Sequence, residues 1–226
     1  MSAPNEHDKA VPAGRPEAGL TTRAGRSDGS GTVTTPKLKI KAAAAQEVCA
    51  LYEVSPEAQQ HLAAKMPPLD FVAALTAARL LRDAVDFLAH ALPKREAVWW
   101  SGLCAREVLP QNAPPKLMAA VQAAEAWVYR PTEENRRKAQ QSAKAIAESH
   151  PAQWAAMGAF WSGGSMAPPD VPEVKPPEQA TARAVAGAIV MAATGDPVQA
   201  DERFARFLNY GIDIANGGTG RPAAKA

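Results

Sequence analysis

The chain is poor in the residue types that build metal sites, disulfide frameworks and membrane anchors. Among 226 residues there are two cysteines, Cys49 and Cys104, and four histidines, His7, His61, His90 and His150. Two cysteines are too few for a secreted disulfide scaffold, and their separation is not that of a zinc pair. They read as reduced, small apolar residues, with a single bridge between them as the alternative. No histidine pairs with another His, Cys or carboxylate at ligand spacing on one helix face, so a metal site is not expected. The formal net charge is +2, without the clustered basic stripe of a nucleic-acid binder. The longest apolar run, 184–193, is half of the roughly 20 residues that cross a bilayer. The polar start has no signal-peptide apolar stretch and no twin-arginine pair. These absences predict a soluble cytoplasmic protein with no membrane insertion and no nucleic-acid partner.

Glycine and proline mark the ends and one internal connection. Residues 1–41 carry almost no large apolar side chain and are rich in Pro, Gly, Ser and Thr, so ordering them is not offset by burial. They read as a disordered tail with seven basic against four acidic side chains. Residues 216–226 read as a second tail. Gly217-Gly218-Thr219-Gly220 within it has no strand before it and no helix after it, which excludes a phosphate-binding loop. Between the tails, 42–215 reads as a single helical domain. A Pro- and Gly-rich connection at about 163–177 precedes a final helix pair that is expected to dock on the rest.

Hydrophobic residues make up 46% of the chain, and they recur at helical steps. Leu69–Leu92 is the clearest helix, with Arg79–Asp83 and Arg82–Asp86 at i,i+4. Ser55-Pro56-Glu57, Leu92-Pro93, His150-Pro151 and Asp196-Pro197 read as helix starts. Helices are expected over 94–109, 115–129, 132–149, 151–162, 178–194 and 198–215, with weaker ones over 42–53 and 56–65. No segment alternates apolar and polar residues as a strand does. The fold class is all-α, an array of antiparallel helix hairpins forming a bundle or a short solenoid-like stack. No consensus repeat recurs.

Two adjacent tryptophans, Trp99 and Trp100, lie in the run 94–106. Helical neighbours differ by about 100° around the axis, so this helix presents aromatic surface over a wide arc and packs on more than one side. Trp100, Cys104 and Val108 share a stripe, and Trp100 is expected in the core. Catalytic chemistry is not expected: Glu133-Glu134 and Asp201-Glu202 are adjacent and diverge on a helix, and Ser101-Gly102 lacks a strand-to-helix elbow. The polar helix 132–149 carries Arg136, Arg137 and Lys144, with Arg130 just upstream. It reads either as a solvated face balanced by Glu133, Glu134 and Glu148 or as a docking surface. Trp127, Trp154 and Trp161 are the aromatic anchors such a surface would use.

Arg95-Glu96-Ala97-Val98-Trp99-Trp100 with Cys104-Ala105-Arg106 resembles a signature of an uncharacterised family of bacterial helical proteins associated with type VI secretion loci. The resemblance implies an accessory role in secretion, as adaptor, scaffold or effector-loading factor, and carries no catalytic residues. The expected function is therefore non-catalytic protein–protein interaction without cofactor, its partner another protein such as a secretion-system component or effector. The site would be Arg130, Arg136, Arg137, Lys144, Trp127, Trp154 and Trp161. The alternative is an enzyme or small-ligand protein with a composite pocket between helices. A deep polar pocket with perturbed ionisable groups would favour that alternative, and a shallow groove lined by aromatics would favour interaction.

Overall fold

The computed structural model describes residues 38–168 and 170–221, and these form ten α-helices with no strand among the described residues. Two short helices open the fold, α1 (Ala45–Cys49) and α2 (Pro56–Gln59). Ser55 caps α2 by accepting the Ala58 N–H, with Pro56 pre-set for the first turn. The longer helices expected over 42–53 and 56–65 are each reduced to little more than one turn.

The expected continuous helix over 69–92 is two helices, α3 (Pro68–Ala77) and α4 (Leu81–Ala91). The backbone at Arg79 has φ +63°. The Leu80 N–H reaches back to the Leu75 carbonyl at 2.9 Å and the Arg79 N–H to Thr76 at 3.1 Å, the bonding of a helix that ends in a left-handed residue. The three- and four-residue spacing runs straight through this break, so periodicity alone reads it as one helix. The turn folds α4 back so that Phe71 meets Phe87 edge-on at 4.8 Å between ring centroids. Arg79 consequently pairs with Asp201 rather than Asp83.

The tryptophan pair lies on α5 (Lys94–Glu107). It is followed by α6 (Pro115–Tyr129), α7 (Glu133–Lys144) and α8 (Pro151–Phe160). Thr132 caps α7 by accepting the Asn135 N–H, and His150 Nδ1 caps α8 by accepting the Ala152 N–H at 3.1 Å. Successive helices from α5 to α8 pack on one another. The last two helices are α9 (Ala180–Thr194) and α10 (Ala200–Ala215). The proline at 197 lies in a turn before α10, where Asp196 Oδ1 accepts the Val198 N–H.

The final pair is not an accessory. Helix α9 packs against α8, α5, α4 and α10, and Ala184, Val185, Ala188, Ile189, Ala192 and Ala193 are buried along it. Small side chains explain the fit. Gly158 of α8 faces Val185 of α9 and Val98 of α5, where an added Cβ would make ordinary contacts at 3.4 and 3.5 Å. Both cysteines are free thiols, Cys104 in the core and Cys49 half-buried.

Trp100 is fully buried, and Trp99 on the next position is half-buried. Of the two expected tails, residues 1–37 and 222–226 lie outside the described residues. The described part of each is packed rather than loose. Lys39 donates its backbone N–H to the Ala215 carbonyl at 2.8 Å, and Ile40 rests on the core. Gly218 N–H bonds the Asp213 carbonyl, and Gly220 N–H bonds the Asp213 carboxylate at 2.7 Å. Local composition missed this because the holding groups, Asp213 and Trp99, lie outside the glycine run.

Candidate functional site

A groove of about 620 Å³ runs between α8, α9 and the 163–177 connection. Ala180, Ala184, Gly187 and Met191 recur at i, i+4, i+7 and i+11, so they share one stripe of α9 and form its floor. Trp154 on α8 and Trp161 just past its end form the facing wall, their rings tilted at 56° with centroids 6.2 Å apart. The Trp154 indole N–H donates to Ser149 Oγ at 2.8 Å. That bond fixes the ring while leaving its apolar surface on the groove. Met166 and Pro177 close one end, and Glu178 and Arg183 are its charged rim.

Gly187 is exposed, and an added Cβ there would touch nothing within 4 Å. A mid-helix glycine costs about 1 kcal/mol relative to alanine. Internal packing gives no reason for it. Its effect is to leave bare backbone on the floor of the groove.

The expected site residues divide into four sets. Trp154 and Trp161 come together in this groove. Trp127 is 7% exposed and belongs to the core, so it is not a surface anchor. Arg130 and Lys144 are exposed, and no ion pair among the described residues engages them.

Arg136, expected on a solvated or docking face, is buried at 3% exposure. Its guanidinium donates to both Glu133 carboxylate oxygens, to the Phe160 carbonyl at 2.7 Å and to the Ser165 carbonyl at 2.8 Å. It also lies 4.7 Å over the Phe160 ring. Arg137 is half-buried and donates to Glu133 and to the Ala167 carbonyl. The two arginines staple the start of the 163–177 connection to α7. Charge-assisted bonds from Arg136 and then Arg137 pull the Glu133 carboxyl down to about 2. A basic run on a polar helix looks alike whether its carbonyl partners are present or absent, because those carbonyls lie 24 to 30 residues away.

A second polar cluster surrounds His90, which helical phase places on the polar side but which is half-buried in the structure. Its Nδ1 bonds the Asp86 carbonyl at 2.7 Å, its ring stacks on Tyr52 at 4.2 Å, and its Nε2 is buried without a partner. Burial pushes the imidazole below its ordinary value, an effect the Asp86 carbonyl partly opposes. Burial, and then the neighbouring Asp83 charge, raise the Asp86 carboxyl to about 6, against the pull of Arg82.

The Asp86 shift has a testable sign. The folded chain holds this proton more tightly than the unfolded chain, so stability falls as pH rises from 3.8 through about 6. Asp86→Asn removes the buried charge. It is expected to raise unfolding free energy at pH 7 by roughly 1 kcal/mol, after discounting for partial exposure. At pH 3.5 the variant and the parent should melt together. Urea titrations at the two pH values check this.

Among the described residues no group of three or more His, Cys, Asp or Glu side chains is disposed to hold a metal ion. No helix among them is long and apolar enough to cross a membrane. The fold and groove define an all-α protein with an aromatic-walled apolar cleft beside a small-residue helix. The chain belongs to DUF6931, a family of unknown function whose profile matches residues 71–215. That span runs from α3 to the end of α10 and so includes every helix that forms the groove. No curated protein and no solved structure matches the chain.

Proposed function

We propose that this chain is a non-catalytic interaction protein that receives an apolar segment of a partner protein in the α8–α9 groove. The observation that carries the reading is the small-residue stripe of Ala180, Ala184 and exposed Gly187 that lines the groove with Trp154 and Trp161. Tryptophan is an enriched interface anchor, and small residues let a partner backbone approach closely. The groove is open and largely apolar, with charge confined to its rim, which suits docking better than bond-making chemistry. On the resemblance at Arg95–Arg106, the proposed setting is a bacterial type VI secretion system. There the chain would act as adaptor, scaffold or effector-loading accessory, in the cytoplasm.

Gly187→Leu tests the groove without threatening the fold. An added Cβ meets nothing within 4 Å, and leucine is the better helix former by just under 1 kcal/mol. Tagged full-length chain and the variant would be used to capture purified secretion-system components and effectors of the native host. The expected result is a loss of capture by tenfold or more, with a melting temperature equal to or above the parent's. Capture by Gly187→Leu and by Trp154→Ala at the parent's level would rule the groove out.

A second reading, an enzyme or small-ligand protein, is supported by the perturbed His90–Asp86–Tyr52 cluster. Turnover of any substrate by the purified chain, abolished by His90→Gln, would replace the first reading with this one.

A further inference from the structure

The run that carries both tryptophans is only half explained by the core. Trp100 is buried, but Arg95, Glu96 and Trp99 line a separate hollow of about 320 Å³. Its other walls come from Lys39, from Val128 and Tyr129 at the end of α6, and from Gly217-Gly218-Thr219. These segments are remote in sequence, so the hollow exists only in the folded chain.

The aromatic part is built in place. The Trp99 indole N–H donates to the Thr219 carbonyl at 2.7 Å, and Tyr129 stands edge-on to Trp99 with centroids 5.8 Å apart. Tyr129 is 68% exposed, among the most exposed large apolar side chains of the described residues. The loop that holds Trp99 needs its glycines. An added Cβ at Gly218 would fall 2.2 Å from the Asp213 carboxylate, and Gly220 has φ +70° with Ile214 and Leu103 under 3 Å from its Cβ position. The wall is a fixed surface rather than a chance contact of a chain end.

The charges are unequal. Lys39 neutralises Glu96 at 3.4 Å, and the Asp213 carboxylate is engaged by the Gly220 N–H. Arg95 spends its Nε on the Val128 carbonyl at 2.5 Å. Its two terminal amino groups have no hydrogen-bond or ion-pair partner among the described residues. Arg221 adds a second cation, 5.0 Å above the Trp99 ring. A guanidinium pinned through Nε and open at its outer edge presents the fork that a carboxylate accepts in two parallel bonds.

The geometry points to a second binding site, for an acidic peptide segment of a protein partner. A carboxylate side chain would take the Arg95 fork, and an adjacent apolar side chain would lie on Trp99 and Tyr129. The volume accommodates one or two side chains, not a folded surface. This site is independent of the α8–α9 groove, and either can fail without the other.

The test is nitrogen-edited NMR of the full chain at low salt, following the Trp99 indole and Arg95 Nε–H resonances. The probes are the capped peptide acetyl-Leu-Glu-Glu-Leu-amide, its glutamine counterpart acetyl-Leu-Gln-Gln-Leu-amide, and inorganic phosphate. The acidic peptide is expected to shift the Trp99 indole saturably, with millimolar or better affinity. The glutamine peptide should bind about tenfold more weakly. Arg95→Gln should remove that preference, and Tyr129→Ala should weaken both peptides while leaving the circular dichroism unchanged. Absence of saturable shifts with the acidic peptide overturns the proposal. Equal binding of both peptides does the same, as does an unchanged preference in Arg95→Gln. Phosphate moving the same resonances as strongly as the peptide would show a site that reads charge alone and would also overturn it.

Discussion

Trp100→Ala is expected to lower the unfolding free energy by about 3–5 kcal/mol, the range for deleting a large, fully enclosed aromatic. Trp100 has no exposed surface, and its indole N–H donates to the Phe207 carbonyl on α10 at 2.6 Å. It therefore ties α5 to α10 by packing and by a hydrogen bond at once. Gly211 of α10 sits directly on it: an added Cβ would lie 2.7 Å from both Trp100 and Leu88. Gly211→Ala should thus be destabilising by about 1–3 kcal/mol in the parent through overpacking. In the Trp100→Ala background the added methyl enters the cavity, so the double variant should be less destabilised than the sum of the two. Guanidinium titrations of the four proteins give this cycle. Strict additivity would mean that Gly211 does not hold α10 against Trp100. A Trp100→Ala midpoint equal to the parent's would mean that the indole is not core.

The second large effect is at Arg136. Arg136→Ala leaves the Phe160 and Ser165 carbonyls without their donor. Each buried acceptor left unpaired costs about 1–3 kcal/mol. Glu133 is more than half exposed and regains water, so it adds little. The expected loss is about 2–4 kcal/mol. Arg136→Lys should recover only part of it, because one ammonium cannot span the carboxylate and two carbonyls as the planar fork does. The consequence for function is local. Residues 163–167 lose their attachment to α7, and Met166 and Trp161 at the end of the groove lose their frame. Hydrogen exchange should rise at Ala167 and Val174, whose N–H groups bond Ser165 Oγ, before the rest of the chain opens. A variant with parental stability and parental exchange in this segment would show that the staple contributes nothing. Lys144 gives the contrast: it is exposed and without an ion-pair partner among the described residues, and its reversal to glutamate leaves the melting curve within error.

The Arg136 outcome also shows where a linear reading of charge stops. Arg136 and Lys144 are eight residues apart and share a direction on α7, yet one is buried and the other lies in water. Nothing in their spacing separates them. The difference is made by α8 and by the connection after it, which carry backbone carbonyls to one arginine and not to the lysine. Trp127 and Trp154 differ for the same kind of reason. Both lie on alanine-rich helices, and only the neighbouring elements decide that one is core and the other lines a groove.

The helical class and most helix starts are legible in the chain without its fold. Those depend on local chemistry: apolar spacing of three and four, Ser55 as a cap, and proline after Ser55 and His150. The α6 limits, Pro115–Tyr129, follow from such signals alone. The break at Arg79, the central place of α9, the packed loop at 216–221 and both hollows arise only when the helices pack. Each depends on partners distant along the chain. Arg79 adopts a left-handed backbone because the turn lets Phe71 meet Phe87. The 216–221 loop is fixed by Asp213 and by Trp99, the latter 120 residues before Thr219. The groove needs Gly187 opposite Trp154 and Trp161, across a 15-residue helix and a proline-rich connection. Local propensity acts over one or two turns of chain. A binding surface is a property of which faces are left uncovered after packing, and that is settled only when all the helices are in place.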